Sequence, residues 1–292
     1  MNLSSWTMAA RPRTLSLSMT PVVVGATMAW AIEGKFNAVV ILAALTGSMF
    51  IQLGTNLHND AADSERGGDG PDRIGPPRVT ASGLLNATAV KHGAAACFAA
   101  AALMGVYLVF VGGWPILLLG ILSIASGWTY TGGPFPIAYT PLGELFVVTF
   151  FGVGAVCGTY WLCAACLSPA AIEAGLALGF LAGAVLLVNN YRDAEADARV
   201  GRRTLAIVAG PQVTIWVYAG LLLTPFALLP VIGNALPNRH VVWPALVALP
   251  LALLVIYRFS HEPQGRGFNQ ILVRTTQLQF LFGLLLCVGL VL

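Results

Sequence analysis

Two stretches of the chain repeat oxygen-bearing side chains at helical spacing. In "NLHNDAADSERGGDGPDRIGPPR" Asn59 is followed four residues on by Asp63, and in "NNYRDAEADARVGRRT" Asn189, Asp193 and Asp197 again stand four apart. Residues four apart on a helix share one face, so each stretch projects a short ladder of oxygen ligands. Stacked carboxylates repel one another and are costly near a membrane unless a cation lies between them. With neither His nor Cys in the ladders, the ion they suit is hard, magnesium before zinc. Magnesium is commonly held by one or two carboxylates together with phosphate oxygens. Two facing ladders therefore predict two ions bridged by a phosphate-rich substrate. Asp63, Asp193 and Asp197 are the central candidates. Asp60, Glu65, Asp69, Asp72 and Glu195 lie close by, some of them off the ladder face, and His58 is left out of the ligand set.

Arginines follow both ladders: Arg66, Arg73 and Arg78 the first, Arg199, Arg202 and Arg203 the second. A guanidinium fork matches phosphate oxygens in bidentate fashion, which suits the same partner. A third segment, "GWTYTGGPFPIAYTPLGELF", is rich in glycine and proline. Such irregular backbone is tolerated at membrane depth only where it lines a cavity or other protein. Tyr130 is placed to donate to a phosphate oxygen, Tyr139 to border the pocket, and Glu144 to face the protein interior.

These segments must be positioned by a bilayer-spanning scaffold. The 292 residues are 57% hydrophobic and 9% charged, with a mean hydropathy of +0.80. At roughly 20 apolar residues per spanning helix, nine spans are expected, near 14–33, 38–57, 90–111, 114–131, 142–161, 170–190, 212–232, 242–258 and 272–291. The runs are continuously apolar, which favours helices over an alternating barrel strand pattern. Nine spans put thirteen of the fifteen Lys and Arg residues on one side, leaving Lys35 and Arg239 opposite. The positive-inside rule makes that richer side cytoplasmic, and both ladders lie on it. Arg11 and Arg13 precede the first span as a cytoplasmic anchor, and the opening segment does not read as a cleavable signal. The cysteines all fall in apolar runs, and "CAAC" at 163–166 reads as small side chains at a helix end. No basic tract suggests nucleic acid.

The ladders and their flanks resemble the UbiA superfamily of intramembrane prenyltransferases. "NDAADSERGGD" is similar to the first aspartate-rich motif of that superfamily and "NNYRDAEADARVGRRT" to the second. "DRIGPPR", "YTGGPFPIAY", "LGELF" and "AARPRTLSLSMTPVVVG" look most like the branch that prenylates 1,4-dihydroxy-2-naphthoate for menaquinone. The resemblance implies one integral membrane prenyltransferase domain over 1–292, an all-α polytopic bundle of nine helices around a cavity open to lipid. It implies magnesium held by Asn59, Asp60, Asp63 and Asp69 on one side and by Asn189, Asp193 and Asp197 on the other. Arg66, Arg78, Tyr130, Arg202 and Arg203 fall where diphosphate contacts are expected. The implied substrates are a polyprenyl diphosphate and an aromatic acceptor, in a bacterial inner membrane with the active site facing the cytoplasm. At Gly67 the chain departs from the wider pattern, where another aspartate often stands, and Asp69 is the substitute. Alternatives are a 4-hydroxybenzoate acceptor and, in another class, a secondary transporter. Transporter sites sit near the bilayer midplane, whereas here mid-span positions are almost free of charge.

Overall fold

The helix over Pro169–Arg192 is apolar on every side from Ala174 to Val188, and the bundle is built around it. Ala170, Ala174, Ala177, Leu178, Leu181 and Leu187 are all fully buried along its length. A helix with no polar face has to be covered all round, and its many Gly and Ala residues let neighbours approach closely. The computed structural model describes residues 3–67, 74–236 and 242–292. Among these residues no strand occurs, and the helices run α1 (Leu3–Ala10), α2 (Leu15–Glu33), α3 (Ala38–Glu65), α4 (Ala87–Gly112) and α5 (Trp114–Thr129). They continue with α6 (Gly143–Ala164), α7 (Pro169–Arg192), the short α8 (Ala194–Arg199), α9 (Leu205–Asn234), α10 (Trp243–His261) and α11 (Phe268–Val291).

Eight helical stretches among the described residues are long and apolar enough to cross a membrane, and α5 is a shorter apolar helix of 16 residues. The nine expected spans thus map one to one onto helices. Their ends differ in instructive ways. The first ladder helix outruns its apolar span, which ends near residue 57, and continues to Glu65. Its 28 residues give about 42 Å of rise, against a hydrocarbon core of about 30 Å. The surplus turns carry Asn59, Asp60 and Asp63 beyond the apolar layer. At the other end Asn37 caps α3, its Oδ1 accepting the Val40 N–H at 3.2 Å. Asn86 caps α4 in the same way, through the Thr88 N–H at 2.8 Å. Gly210, with a non-helical φ of 75° and ψ of 170°, separates a short helical segment that starts at Leu205 from the seventh span, which begins at Pro211, close to the expected residue 212.

A close helix crossing joins α6 to α7. Between Val148 and Gly154, α6 widens into a π-helical turn. A Cβ on Gly152 would collide with the carbonyl oxygen of Gly175 and the Cα of Gly179. The crossing therefore places backbone directly on backbone.

A cavity of about 1660 Å³ lies between α2, α3, α4, α5 and α6, with α1, α7 and α11 completing its wall. It extends from Asp63 and Arg202 at the charged end to Ile116 and Leu162 at the far end. Val106, Phe110 and Ile121 line it and are each more than half exposed. The gap between α4 and α5 therefore opens onto the outer apolar surface.

Candidate active site

The wall that α3 presents to the cavity is a polar stripe. Gln52, Asn56, Asn59 and Asp63 are spaced by four, three and four residues, the period of one helix face, and all four line the cavity. Asp63 is 2% exposed. Its Oδ2 accepts from Arg78 Nη2 at 2.7 Å, and its Oδ1 accepts from Arg202 Nη2. Asn59 Oδ1 accepts from the Thr131 hydroxyl at 2.6 Å, which ties α3 to the segment after α5. Arg66 donates to the carbonyl oxygens of Thr131 and, at 2.8 Å, Gly133.

The second ladder reaches the same place by a different route. Arg202 Nη1 donates to Asp197 Oδ1 at 3.0 Å, so one guanidinium joins Asp63 of α3 to Asp197 of α8. Burial acts to lower the Arg202 pKa, but the two carboxylates more than offset it and hold the pKa above the usual arginine value. The Arg202 guanidinium also lies 5.0 Å from the centroid of the Tyr139 ring, with Arg66 at 5.4 Å. Asp193 is reached through its neighbour. Arg192 Nε donates to Asp193 Oδ1 at 2.8 Å and Nη2 to Oδ2 at 2.5 Å. Nη2 also donates to Asn189 Oδ1 at 2.8 Å, and Nη1 to Asn269 Oδ1 of α11 at 2.8 Å. Asn269 in turn donates to the Ile74 carbonyl at 3.2 Å, tying α11 to the loop after α3.

The structure thus gathers Asp63, Asp197, Arg78 and Arg202 into one network. Asn59, Tyr130 and Asn189 line the same cavity, and Tyr130 places its hydroxyl beside Gly143. Arg203 is exposed at the rim, its backbone N–H donating to the Tyr139 carbonyl at 3.2 Å. Asp60 points away from the ladder. It is 1% exposed, and its carboxylate accepts the Thr80 N–H at 2.9 Å and the Val79 N–H at 3.2 Å. It holds the loop that carries Arg78. Asp69, with Asp72 and Arg73, lies outside the described residues.

Because hydrogen bonds to a charged group contribute more than neutral ones, Asp60→Ala is expected to cost about 2–4 kcal/mol. Asp60→Asn, which keeps one acceptor, should cost about half as much. Melting curves of the purified variants check this, and a wild-type melting temperature for Asp60→Ala would contradict the tethering role.

Four cavity residues escaped the reading of the sequence. Gln52 and Asn56 continue the period of Asn59 and Asp63 upstream and were legible by extending the same count. Arg192 was counted only as a basic residue, although it stands between Asn189 and Asp193. Asn269 gives no local signal, because it reaches the site from a distant helix.

The oxygen donors around this cavity fit a hard cation. Asn59, Asp63, Asn189, Asp193 and Asp197 offer only amide and carboxylate oxygens, and their charge is balanced here by Arg78, Arg192 and Arg202. Among the described residues no group of three or more His, Cys, Asp or Glu is gathered closely enough to hold a metal alone. A magnesium ion that takes part of its shell from phosphate needs no such group.

Eight long apolar helices among the described residues, packed around a largely apolar cavity that is closed at one end by paired arginines and carboxylates, define an integral membrane protein. Residues 18–272 match the model of the UbiA prenyltransferase family, and the chain belongs to that family. It is 34% identical to a 1,4-dihydroxy-2-naphthoate octaprenyltransferase of Escherichia coli (strain K12), over 98% of this chain and 94% of that one. It is 35% identical to the protein of that name from Mycobacterium tuberculosis, over 99% and 97%. The fold is similar to that of a UbiA homolog from Archaeoglobus fulgidus solved with DMAPP and Mg2+, with a TM-score of 0.73, 16% identity and 99% coverage of both chains.

Proposed function

We propose that the chain is a magnesium-dependent aromatic prenyltransferase that joins a polyprenyl group to 1,4-dihydroxy-2-naphthoate, with loss of carbon dioxide, to give the hydroquinone form of demethylmenaquinone. The observation that carries this reading is the Arg202 guanidinium, held between Asp63 and Asp197 at the head of a deep apolar cavity. A diphosphate head suits that cluster, and a polyprenyl tail suits the cavity behind it. The names of the relatives point to the naphthoate acceptor rather than 4-hydroxybenzoate. Charge gathered at one end, and not at mid-depth, disfavours a transporter.

In this reading one catalytic domain spans 1–292. Its charged end faces the cytoplasm from a bacterial inner membrane, as the distribution of basic residues suggests. Asn59, Asp63, Asn189, Asp193 and Asp197 would hold magnesium, with Asp69 as a further ligand. When bound, magnesium offsets the negative charge that grows on the departing diphosphate. Arg78 and Arg202 donate to the diphosphate oxygens, Arg66 and Arg203 add positive charge at the rim, and Tyr130 donates its hydroxyl from the side. The bond from the allylic carbon to the diphosphate oxygen breaks with its electron pair leaving on the diphosphate. The apolar walls keep water from the allylic cation, and Tyr130 offers it an aromatic face. The ring carbon that bears the carboxylate forms the new carbon–carbon bond. The carboxylate leaves as carbon dioxide, and its bonding pair returns to the ring.

Purified protein supplied with magnesium, a polyprenyl diphosphate and either acceptor tests this reading. Transfer to the naphthoate is expected to exceed transfer to 4-hydroxybenzoate by about tenfold or more, and a chelator should abolish both. Equal or reversed preference would move the protein to another acceptor. No release of pyrophosphate with either acceptor would end the enzyme reading.

A further inference from the structure

The upstream half of the α3 stripe has no part in holding the diphosphate, yet its hydrogen bonds are arranged in one fixed direction. The Thr14 hydroxyl donates to the Arg11 carbonyl at 2.9 Å, so its oxygen is left as an acceptor. Asn56 Nδ2 donates to the Ala10 carbonyl at 2.9 Å and to Thr14 Oγ1 at 3.1 Å. A backbone carbonyl only accepts, so the nitrogen of Asn56 must face Ala10 and its Oδ1 must face Gln52. Gln52 Nε2 then donates to Asn56 Oδ1 at 3.3 Å and to Thr14 Oγ1 at 3.2 Å. This chain settles the amide orientation that coordinates alone leave open. It leaves Gln52 Oε1 as an acceptor with no hydrogen-bond partner among the described residues.

Gln52 is 7% exposed, and Asn56 5%, and both line the cavity. An amide oxygen buried in apolar surroundings without a donor is costly, and both ends of this side chain have been fixed so that the oxygen alone is left over. What it lacks is an O–H or N–H group brought in by a ligand. About 16 Å of helix rise separates Gln52 from Asp63 at 1.5 Å per residue. That span accommodates a diphosphate at Asp63 followed by a single fused aromatic ring system. Thr14 and Ser18 place further hydroxyls on the same wall, and Arg11 and Arg13 line the cavity near its start.

We propose that Gln52 Oε1, fixed by Asn56 and Thr14, accepts a hydrogen bond from a ring hydroxyl of the aromatic acceptor and so sets which hydroxylated rings are prenylated. The inference rests on the prenyl-transfer reading and adds a recognition residue to it. The hydroxyl is held at a fixed depth, which turns the reactive ring carbon toward the head of the cavity. An acceptor without that hydroxyl leaves the amide oxygen buried and unpaired, and this penalty is the source of discrimination.

The test compares 1,4-dihydroxy-2-naphthoate with its two monomethyl ethers, in the wild-type protein and in Gln52→Leu and Gln52→Met, with magnesium and a polyprenyl diphosphate throughout. In the wild type, methylating one of the two hydroxyls is expected to lower kcat/KM for the acceptor about 10- to 100-fold. In either variant the diol falls to about the level of that ether, and the KM for the prenyl diphosphate stays within about twofold. A merely structural role would lower all three acceptors alike and preserve their ratio. The proposal is overturned if both ethers match the diol in the wild type, a result that needs no variant to accumulate. It is also overturned if a folded variant keeps the discrimination. A wild type that transfers to no hydroxylated aromatic at all would instead sink the prenyl-transfer reading beneath it.

Discussion

Asp63→Asn is expected to lower prenyl transfer by about a hundredfold to ten-thousandfold while the bundle still folds. Asn keeps the shape of the side chain but removes the charge that Arg78 and Arg202 both address. With the charge gone, Arg202 is left with Asp197 alone, and the tie between α3 and α8 weakens. In the proposed reading the same change removes a magnesium ligand. Leaving one partner of a buried ion pair uncompensated costs about 3–5 kcal/mol, and a loss of that size in the transition state corresponds to two to four powers of ten. Pyrophosphate release by purified protein measures it, with the melting temperature as a check on folding. A variant that folds and retains a tenth of the wild-type rate would remove Asp63 from the site.

Gly152→Ala should do comparable damage to the fold by a different mechanism. The added Cβ meets the Gly175 carbonyl oxygen and the Gly179 Cα, and neither can move without shifting a helix. Overpacking a core costs about 1–3 kcal/mol, occasionally more, and backbone contact on α7 points to the upper end, because the charged helix end at Asn189 and Arg192 belongs to the same rigid element. Gly105 and Gly120 provide the contrast, since a Cβ at either meets nothing within 4 Å. Gly105→Ala and Gly120→Ala are expected to melt within about 1 kcal/mol of wild type. Thermal unfolding in detergent of the three variants checks both halves. A Gly152→Ala protein as stable as Gly105→Ala would mean that the α6–α7 crossing is looser than described.

The two kinds of evidence meet most closely in the spans, because continuous apolar length is a direct consequence of bilayer thickness. Helix ends were less legible. The apolar run of α3 ends near residue 57, and the helix continues to Glu65 as the ladder spacing requires, with Asp60 and Asp63 satisfied by a loop backbone and by arginines. At Gly210 the non-helical backbone sets a short segment that starts at Leu205 apart from the seventh span. Spacing by four revealed Asp63, Asp193 and Asp197, but it does not say which way a neighbouring carboxylate turns. Asp60 differs from Asp63 by less than one turn and faces the Val79–Thr80 backbone instead. Asn269 is invisible locally because only the packing of α11 against α7 delivers it to Arg192. The hydrogen-bond direction that leaves Gln52 Oε1 over depends on Ala10 and Thr14, which precede it by more than thirty-five residues.

The central claim is that a prenyl diphosphate binds with its head between the α3 and α8 carboxylates and its tail in the cavity. Solving the protein with magnesium and a non-hydrolysable prenyl thiodiphosphate tests it most directly. The predicted result has diphosphate oxygens about 3 Å from the guanidinium nitrogens of Arg78 and Arg202, with the chain running toward Leu162. A diphosphate bound elsewhere, with Arg202 still bridging Asp63 and Asp197, would contradict the account.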